Sequence, residues 1–491
     1  MAMRRLRAAA CGLALLSVCS AAALAQTAAP EISAEQAQRD LGILKRAFTE
    51  LHPGLYRYAT PAQIDAEFVA AEAAVGQGSS RADMFLLASR LAAAVRCGHT
   101  WASPYNQGKA VEDGLFARGD KLPLTLRFVE GRALVTGSTV PALPAGAELL
   151  AIDGRPVGDI QAALLPYLRA DGDHEGARAK RLSQLDSGAN GGAMDRLFPL
   201  RFPPQAGRWR LRVADAPGAA PHDIDVAATT LAVRDKYLPD PSPQWTFRVD
   251  GEVATLTIPT FAFWRSDFKP EVFLARTFGA IRHLPYLVID LRRNEGGDDA
   301  IGRLLLGHLL RARASFPGYR VESAYERVPY ALARYLDTWD FDFFDRTGQV
   351  TKGPGRNWRL PDRPGARVEP DALNYPGRVI ALVGPQNSSA GFLLARALKS
   401  TGAATLVGQT TGGNQRGLNG GQLAWITLPA SGVGVDIPLL ASVYAGDAPD
   451  AGVTPDVPVT PRFADAAAGI DTEMQAAFDL IARWKAAASK P

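Results

Sequence analysis

Hydrophobic and polar positions change their period twice along this chain. From Ser33 to about Ala102 apolar residues recur every three to four positions. A Ser33–Gln36 capping pair precedes Leu41, Leu44, Ala47 and Phe48, Thr60-Pro61 opens a run through Ile64, Phe68 and Ala71, and Met84 to Val95 forms a third run. This pattern predicts a small helical domain. From about Leu122 to Val226 short alternating segments predict strands, with turns at Glu130-Gly131 and Asp153-Gly154 and a helix near Ile160–Leu168. From Trp245 onward the two patterns alternate. Val253–Ile258, Tyr286–Asp290, Val379–Val383 and Thr405–Val407 read as strands, and Pro270–Ile281, Ala300–Leu310 and Gly391–Lys399 as helices. Continuously apolar strands need cover on both faces, so a layered α/β domain is expected.

The first residues follow another logic. Arg4, Arg5 and Arg7 precede an apolar run from Ala8 to Ala22 and the small-residue sequence Ala23-Leu24-Ala25, the pattern of a secretory signal peptide cleaved after Ala25. An uncleaved anchor is the alternative; a lipoprotein signal fits less well, because Val18 is bulky for the position before Cys19. No later segment approaches eighteen uninterrupted apolar residues, so no stable membrane insertion is expected after signal removal. The expected division is a signal peptide (1–25), an N-terminal helical domain (26–112), a β-rich domain (113–243, leaving through Pro239–Pro243), an α/β domain (244–465) and a C-terminal helix (466–491). The aromatic- and arginine-rich stretch Phe316–Tyr375 interrupts the α/β order and is read as a lid or substrate wall.

Composition narrows the function. Across 491 residues, 54 Lys and Arg stand against 50 Asp and Glu, and removing the three signal arginines leaves 51 − 50 = +1, which implies no nucleic-acid partner. Of three cysteines, Cys11 and Cys19 leave with the signal, so Cys97 has no intrachain disulfide partner. A periplasmic or extracellular protein held by core packing is expected. His52, His174, His222, His283 and His308 are scattered without metal-binding spacing, so neither metal nor cofactor is expected.

Two strand ends carry candidate chemistry. Val379–Leu398 runs from an apolar strand through Gln386-Asn387-Ser388-Ser389 into a helix, placing two serines where helix amides can stabilise negative charge. A nucleophile suits that place, and so does an ordinary N-cap serine. Leu287–Gly297 ends a second buried strand in Gly296-Gly297. Paired glycines let a backbone N–H approach a ligand closely, or simply make a tight turn.

Asp290-Leu-Arg-Arg-Asn-Glu-Gly-Gly, then Asn387-Ser-Ser-Ala-Gly-Phe-Leu-Leu-Ala-Arg-Ala-Leu-Lys, Val407-Gly-Gln-Thr-Thr-Gly-Gly and Gly452-Val-Thr-Pro-Asp-Val resemble, in order, the motifs of the tail-specific, or C-terminal processing, serine peptidases. Leu51-His-Pro-Gly and Cys97-Gly-His-Thr resemble the same family's amino-terminal region. The resemblance implies a ClpP/crotonase-like α/β catalytic domain and peptide or protein substrates. It also implies a PDZ-like middle domain, which Gly146–Gly154 resembles. The family's nucleophile falls on Ser389, and its oxyanion-hole amides fall on Gly297 and Ala390. The Ser-Lys members place their base where this chain has Asn414, which cannot act as one, and Lys399 lies about 15 Å of helix rise beyond Ser389. The Lys-less branch, similar to the tricorn core and the interphotoreceptor retinoid-binding protein, uses a histidine that matches His99. Its relay acid matches Asp450, and Gly98 stands where a supporting Ser can occur. The active site is then expected in a cleft between the helical and α/β domains. A non-catalytic binding protein for peptides or small apolar ligands on the same scaffold is the second expectation.

Overall fold

In the N-terminal region three helices, Ala34–Leu51, Pro61–Ala74 and Arg81–Ala94, each begin with a reciprocal cap: Ser33 with Gln36, Thr60 with Gln63, and Ser80 with Asp83. Such caps satisfy amide groups that a helix start otherwise leaves without acceptors. The predicted apolar stripe, including Leu41, Leu44 and Phe48, is buried, and Phe48 meets Phe68 edge to face at 6.1 Å. The computed structural model describes residues 31–183, 192–237, 245–264, 266–353 and 355–489. The predicted signal peptide and the exit segment Pro239–Pro243 lie outside the described residues.

The middle region is an antiparallel sheet ordered Leu124–Val129, Arg132–Ser138, Glu148–Ile152, Arg208–Ala214, His222–Ala227, flanked by the helices Val157–Leu164, Glu175–Leu182 and Ala193–Arg201. Both predicted turns take left-handed pairs: Glu130 and Gly131 have φ of 52° and 72°, and Asp153 and Gly154 have 49° and 76°. These are the conformations that match the twist of a two-residue hairpin.

The C-terminal region centres on a six-stranded sheet ordered Val457–Pro458, Thr405–Gly408, Arg378–Val383, Tyr286–Asp290, Val253–Thr257, Thr246–Asp250. Every pair is parallel except the edge hairpin Thr246–Asp250 with Val253–Thr257. Alternate strand residues divide between two cores. Leu287, Ile289, Ala381 and Val383 pack with helices Pro270–Ile281, Asp299–Leu309 and Ser389–Thr401, while Val288, Ile380 and Leu382 pack under helix Thr472–Ala488. Double-sided cover explains why those strands read as unbroken apolar runs.

The boundary between regions is less simple in space than in sequence. The hairpin of Leu423–Thr427 and Gly434–Pro438, late in the chain, joins the core of the N-terminal helices through Ile426, Val435 and Ile437. Asp40, buried on the first helix, accepts bonds from the amides of Ala430 and Ser431 and from the Ser431 hydroxyl. The Phe316–Tyr375 stretch supplies Tyr319–Ser323, Thr351–Lys352 and Trp358–Arg363 to a four-stranded sheet completed by Ala441–Tyr444.

Candidate active site

Two buried asparagines hold the ends of the central strands together. The Asn387 amide donates to the carbonyls of Leu291 (2.6 Å) and Asn294 (3.0 Å), while its Oδ1 accepts from the Gly384 N–H. Asn294 in turn donates to the Ile258 carbonyl and accepts from the Gly296 N–H. Both side chains are fully buried, so the turns after three neighbouring strands are fixed by hydrogen bonds that have no water to compete with them.

On this base the chain turns sharply into helix Ser389–Thr401. Ser389 itself has φ of +47°, a left-handed conformation that costs a non-glycine residue roughly 1–3 kcal/mol. Ser388 occupies the N-cap position yet makes no cap; its hydroxyl donates to the Glu295 carbonyl instead. The ordinary N-cap role therefore fits neither serine.

Gly296 and Gly297, with φ of +111° and +133°, are both in regions that disfavour side chains. A methyl on Gly296 would stand 2.8 Å from the Ala390 nitrogen and 2.9 Å from Ser389 Cβ, so the second strand end lies directly against the first. The Gly296 N–H is taken by Asn294. Among the described residues, no acceptor pairs with the N–H of Gly297 or of Ala390, and both residues line the cleft beside Ser389. Two free amides flanking a serine hydroxyl are what an oxyanion requires.

His99 reaches this serine from the other side. Its Nε2 lies 3.3 Å from Ser389 Oγ, a contact spanning 290 residues of sequence. Gly420 leaves room for the ring: a methyl there would stand 3.3 Å from its Cε1 and Nε2. Burial pushes the imidazole pKa below its usual 6.5, and Asp171 acts most strongly in the opposite direction. The neutral, proton-accepting form therefore prevails at neutral pH.

Asp171 went unrecognised in the sequence, where it is one more loop acid between a helix and a turn. In space its Oδ1 accepts from the Gly98 N–H at 2.8 Å, and the next residue's amide, that of Gly172, donates to the Arg96 carbonyl. Among the described residues, neither Asp171 Oδ2 nor His99 Nδ1, both buried, has a hydrogen-bond partner. A side chain at Gly98 would come within 2.7 Å of the Asp171 carboxylate, so the acid fills the space a supporting Ser would need. The available signal was weak: an aspartate before a glycine, Asp171-Gly172, at the end of a helical pattern.

Cys97, His99 and Asp171 together offer three atoms within 4.8 Å of one another, a donor set that could hold a metal ion. Burial and the nearby carboxylate raise the Cys97 thiol pKa, however, and a protonated thiol is a poor ligand. Around them, Arg169 bonds the Gly98 carbonyl, stacks on Trp101 at 3.7 Å, and pairs with Glu295, which Arg181 also binds.

Asp450, the acid expected from motif position, is placed elsewhere. Its carboxylate accepts from Asn414 Nδ2 (2.6 Å) and Arg416 (3.1 Å). Both Asn414 and Asp450 pack against Gly172, where a methyl would meet them at 3.0 and 3.1 Å. Asp450 thus backs the loop that carries Asp171 and makes no bond to His99. Lys399 pairs with Asp456, Lys352 bonds the Arg356 carbonyl, and among the described residues no lysine lines the cleft.

The cleft has a volume of about 1640 Å³ and extends from Ser389 toward Phe316, Tyr319 and Gly365, so part of the Phe316–Tyr375 stretch forms its wall. Residues 252–459 match peptidase family S41. Mature CPAF complexed with lactacystin is similar in fold at 16% identity, with 91% of this chain and 97% of that chain covered and a TM-score of 0.61. Another structure of mature CPAF gives 15% identity, coverage of 88% and 94%, and a TM-score of 0.57. No curated protein matches the chain.

Proposed function

We propose, for a chain that carries a peptidase family S41 domain over residues 252–459, that it hydrolyses peptide bonds with Ser389 as nucleophile and His99 as general base. The observation that carries this reading is the His99 Nε2–Ser389 Oγ contact, made on a strained turn with two unpaired amides beside it. In the first step Ser389 Oγ attacks the scissile carbonyl carbon while its proton passes to His99 Nε2. The carbonyl π electrons move to oxygen, and the resulting oxyanion is held by the N–H groups of Gly297 and Ala390. His99 then protonates the leaving amine, and a water activated by the same imidazole hydrolyses the acyl-enzyme. Asp171 is the acid that favours the imidazolium formed in each step, in the role that sequence resemblance gives to Asp450. In the same reading the protein is exported after cleavage following Ala25, and its antiparallel middle sheet is a PDZ-like unit. Among the described residues no helix is long and apolar enough to cross a membrane.

A fluorophosphonate probe tests the assignment. The wild-type protein should label at Ser389, and Ser389→Ala should lose both labelling and peptide hydrolysis while keeping its fold. Intact hydrolysis in a folded Ser389→Ala variant overturns the reading. A wild type that neither labels nor cleaves, yet binds peptide, would favour the non-catalytic binding protein.

A further inference from the structure

The cleft is strongly one-sided in charge. Among the described residues, Arg303, Arg311, Arg313, Arg363, Arg378 and Arg396 line it against one aspartate, Asp299. Several of these cations are already engaged. Arg303 pairs with Asp299, Arg313 with Glu369, and Arg311 bonds the carbonyls of Pro376 and Gly377. Arg363 and Arg378 also have no carboxylate partner among the described residues, but both are exposed, Arg378 over the Trp484 ring; Arg396 differs in its burial. It is half-buried, has no carboxylate or carbonyl partner among the described residues, and lies with its guanidinium 4.3 Å from the centroid of the Tyr444 ring. An aromatic face stabilises the cation and fixes its plane while leaving its edge N–H groups free to bind a planar anion.

Its position relative to the nucleophile is set by the helix. Ser389, Leu393, Arg396, Ala397 and Ser400 all line the cleft, the spacing of one helical face. Seven residues of rise put Arg396 about 10 Å along the helix from Ser389, the length of about three residues of an extended peptide. We propose that Arg396 is a specificity residue that binds a substrate carboxylate about three residues from the scissile bond. The substrate class is therefore an extended peptide with an acidic side chain or a free carboxyl terminus at that place. This rests on the reading of Ser389 as the site of cleavage.

Fluorogenic peptides in which a single Glu is moved through the sequence, each compared with its Gln counterpart, test the assignment. The wild type should prefer Glu by about 10- to 100-fold in kcat/KM at one position near the third residue from the cut, mainly through KM. Arg396→Gln should abolish that preference, and Arg396→Lys should retain part of it. Peptides with free and amidated termini separate the two sources: loss on amidation identifies the terminal carboxylate, and loss on Glu-to-Gln exchange identifies the side chain. Absence of any carboxylate preference in the wild type, or its persistence in Arg396→Gln, overturns the proposal. Fluorescence anisotropy in a Ser389→Ala background, with and without Arg396→Gln, keeps the two readings distinguishable. There the acidic peptide should bind more weakly once Arg396 is replaced, whether or not Ser389 is the nucleophile; equal binding counts against Arg396 alone.

Discussion

The proposed nucleophile and the proposed base are held in opposite ways. Ser389 sits on a turn braced by its immediate surroundings: two neighbouring strand ends, the side chains of Asn294 and Asn387, and a glycine with no room for a methyl. His99 sits where loops from three parts of the chain meet: Arg96–Thr100 after the third helix, Asp171-Gly172 from the middle region, and Gly420 from the C-terminal region. The strained turn of Ser389 is largely made by one fold unit, whereas His99 is placed beside it only by tertiary docking. The first arrangement concentrates information in contiguous sequence and the second disperses it.

The largest effects should erase the comparison altogether. Ser389→Ala and His99→Ala should each reduce kcat by about a millionfold, because a nucleophile and its base act as one unit. Steady-state kinetics on folded variants checks this, and a His99→Ala enzyme within tenfold of wild type would remove the imidazole from the mechanism. Next, Asp171→Asn should lower kcat/KM by about 10²- to 10⁴-fold, while Asp450→Asn costs much less. The reverse order would return the relay to the motif-derived acid.

A pH profile sharpens the same contrast. Burial places the His99 pKa below 6.5, so kcat/KM should rise with pH through one ionisation below that value and then level off, as the neutral base becomes populated. Asp171 favours the protonated ring; its replacement by Asn should therefore move the midpoint to lower pH, and a shift upward would contradict this placement.

On the nucleophile side, Gly296→Ala forces a methyl against the Ala390 nitrogen at a φ of +111°. A stability loss of about 1–3 kcal/mol and a drop in kcat are expected, measurable by urea denaturation and kinetics. The smallest effect concerns His52, which is buried between the Thr100 hydroxyl and the Gly54 N–H, with its pKa pushed down to about 3. Between pH 3 and about 6.5 the unfolded chain binds one more proton at this residue than the folded one. Stability should therefore rise with pH across that window and lose this dependence above it. Denaturation midpoints of wild type and His52→Gln, followed from pH 4 to 8, should differ in slope.

How much was legible follows from the same division. Helix Pro270–Ile281 and strand Tyr286–Asp290 have the bounds their patterns predict, because proline, capping and two-sided burial are local signals. Motifs point to Ser389, Gly297, Ala390 and His99, and the structure brings all four to one cleft. Asp171 is not legible in the sequence because its place near His99 arises from a carboxylate meeting Gly98 across 73 residues, which no periodicity records. The motif points to Asp450 because that residue stands near it, and motif position does not show which of two successive layers a side chain joins. The role of the hairpin Leu423–Pro438 as cover for the N-terminal helices was hidden for the same reason.

The 290-residue separation of His99 from Ser389 also bears on when such a chain can do harm. At a synthesis rate of about 5–20 residues per second, a ribosome spends about 15–60 s between making the two residues. Through that interval the growing chain holds an imidazole with no hydroxyl to activate, and afterwards a hydroxyl on a turn that its own loops must still enclose. On the proposed mechanism, a partial product that ends before Ser389 lacks its nucleophile and should show no hydrolysis.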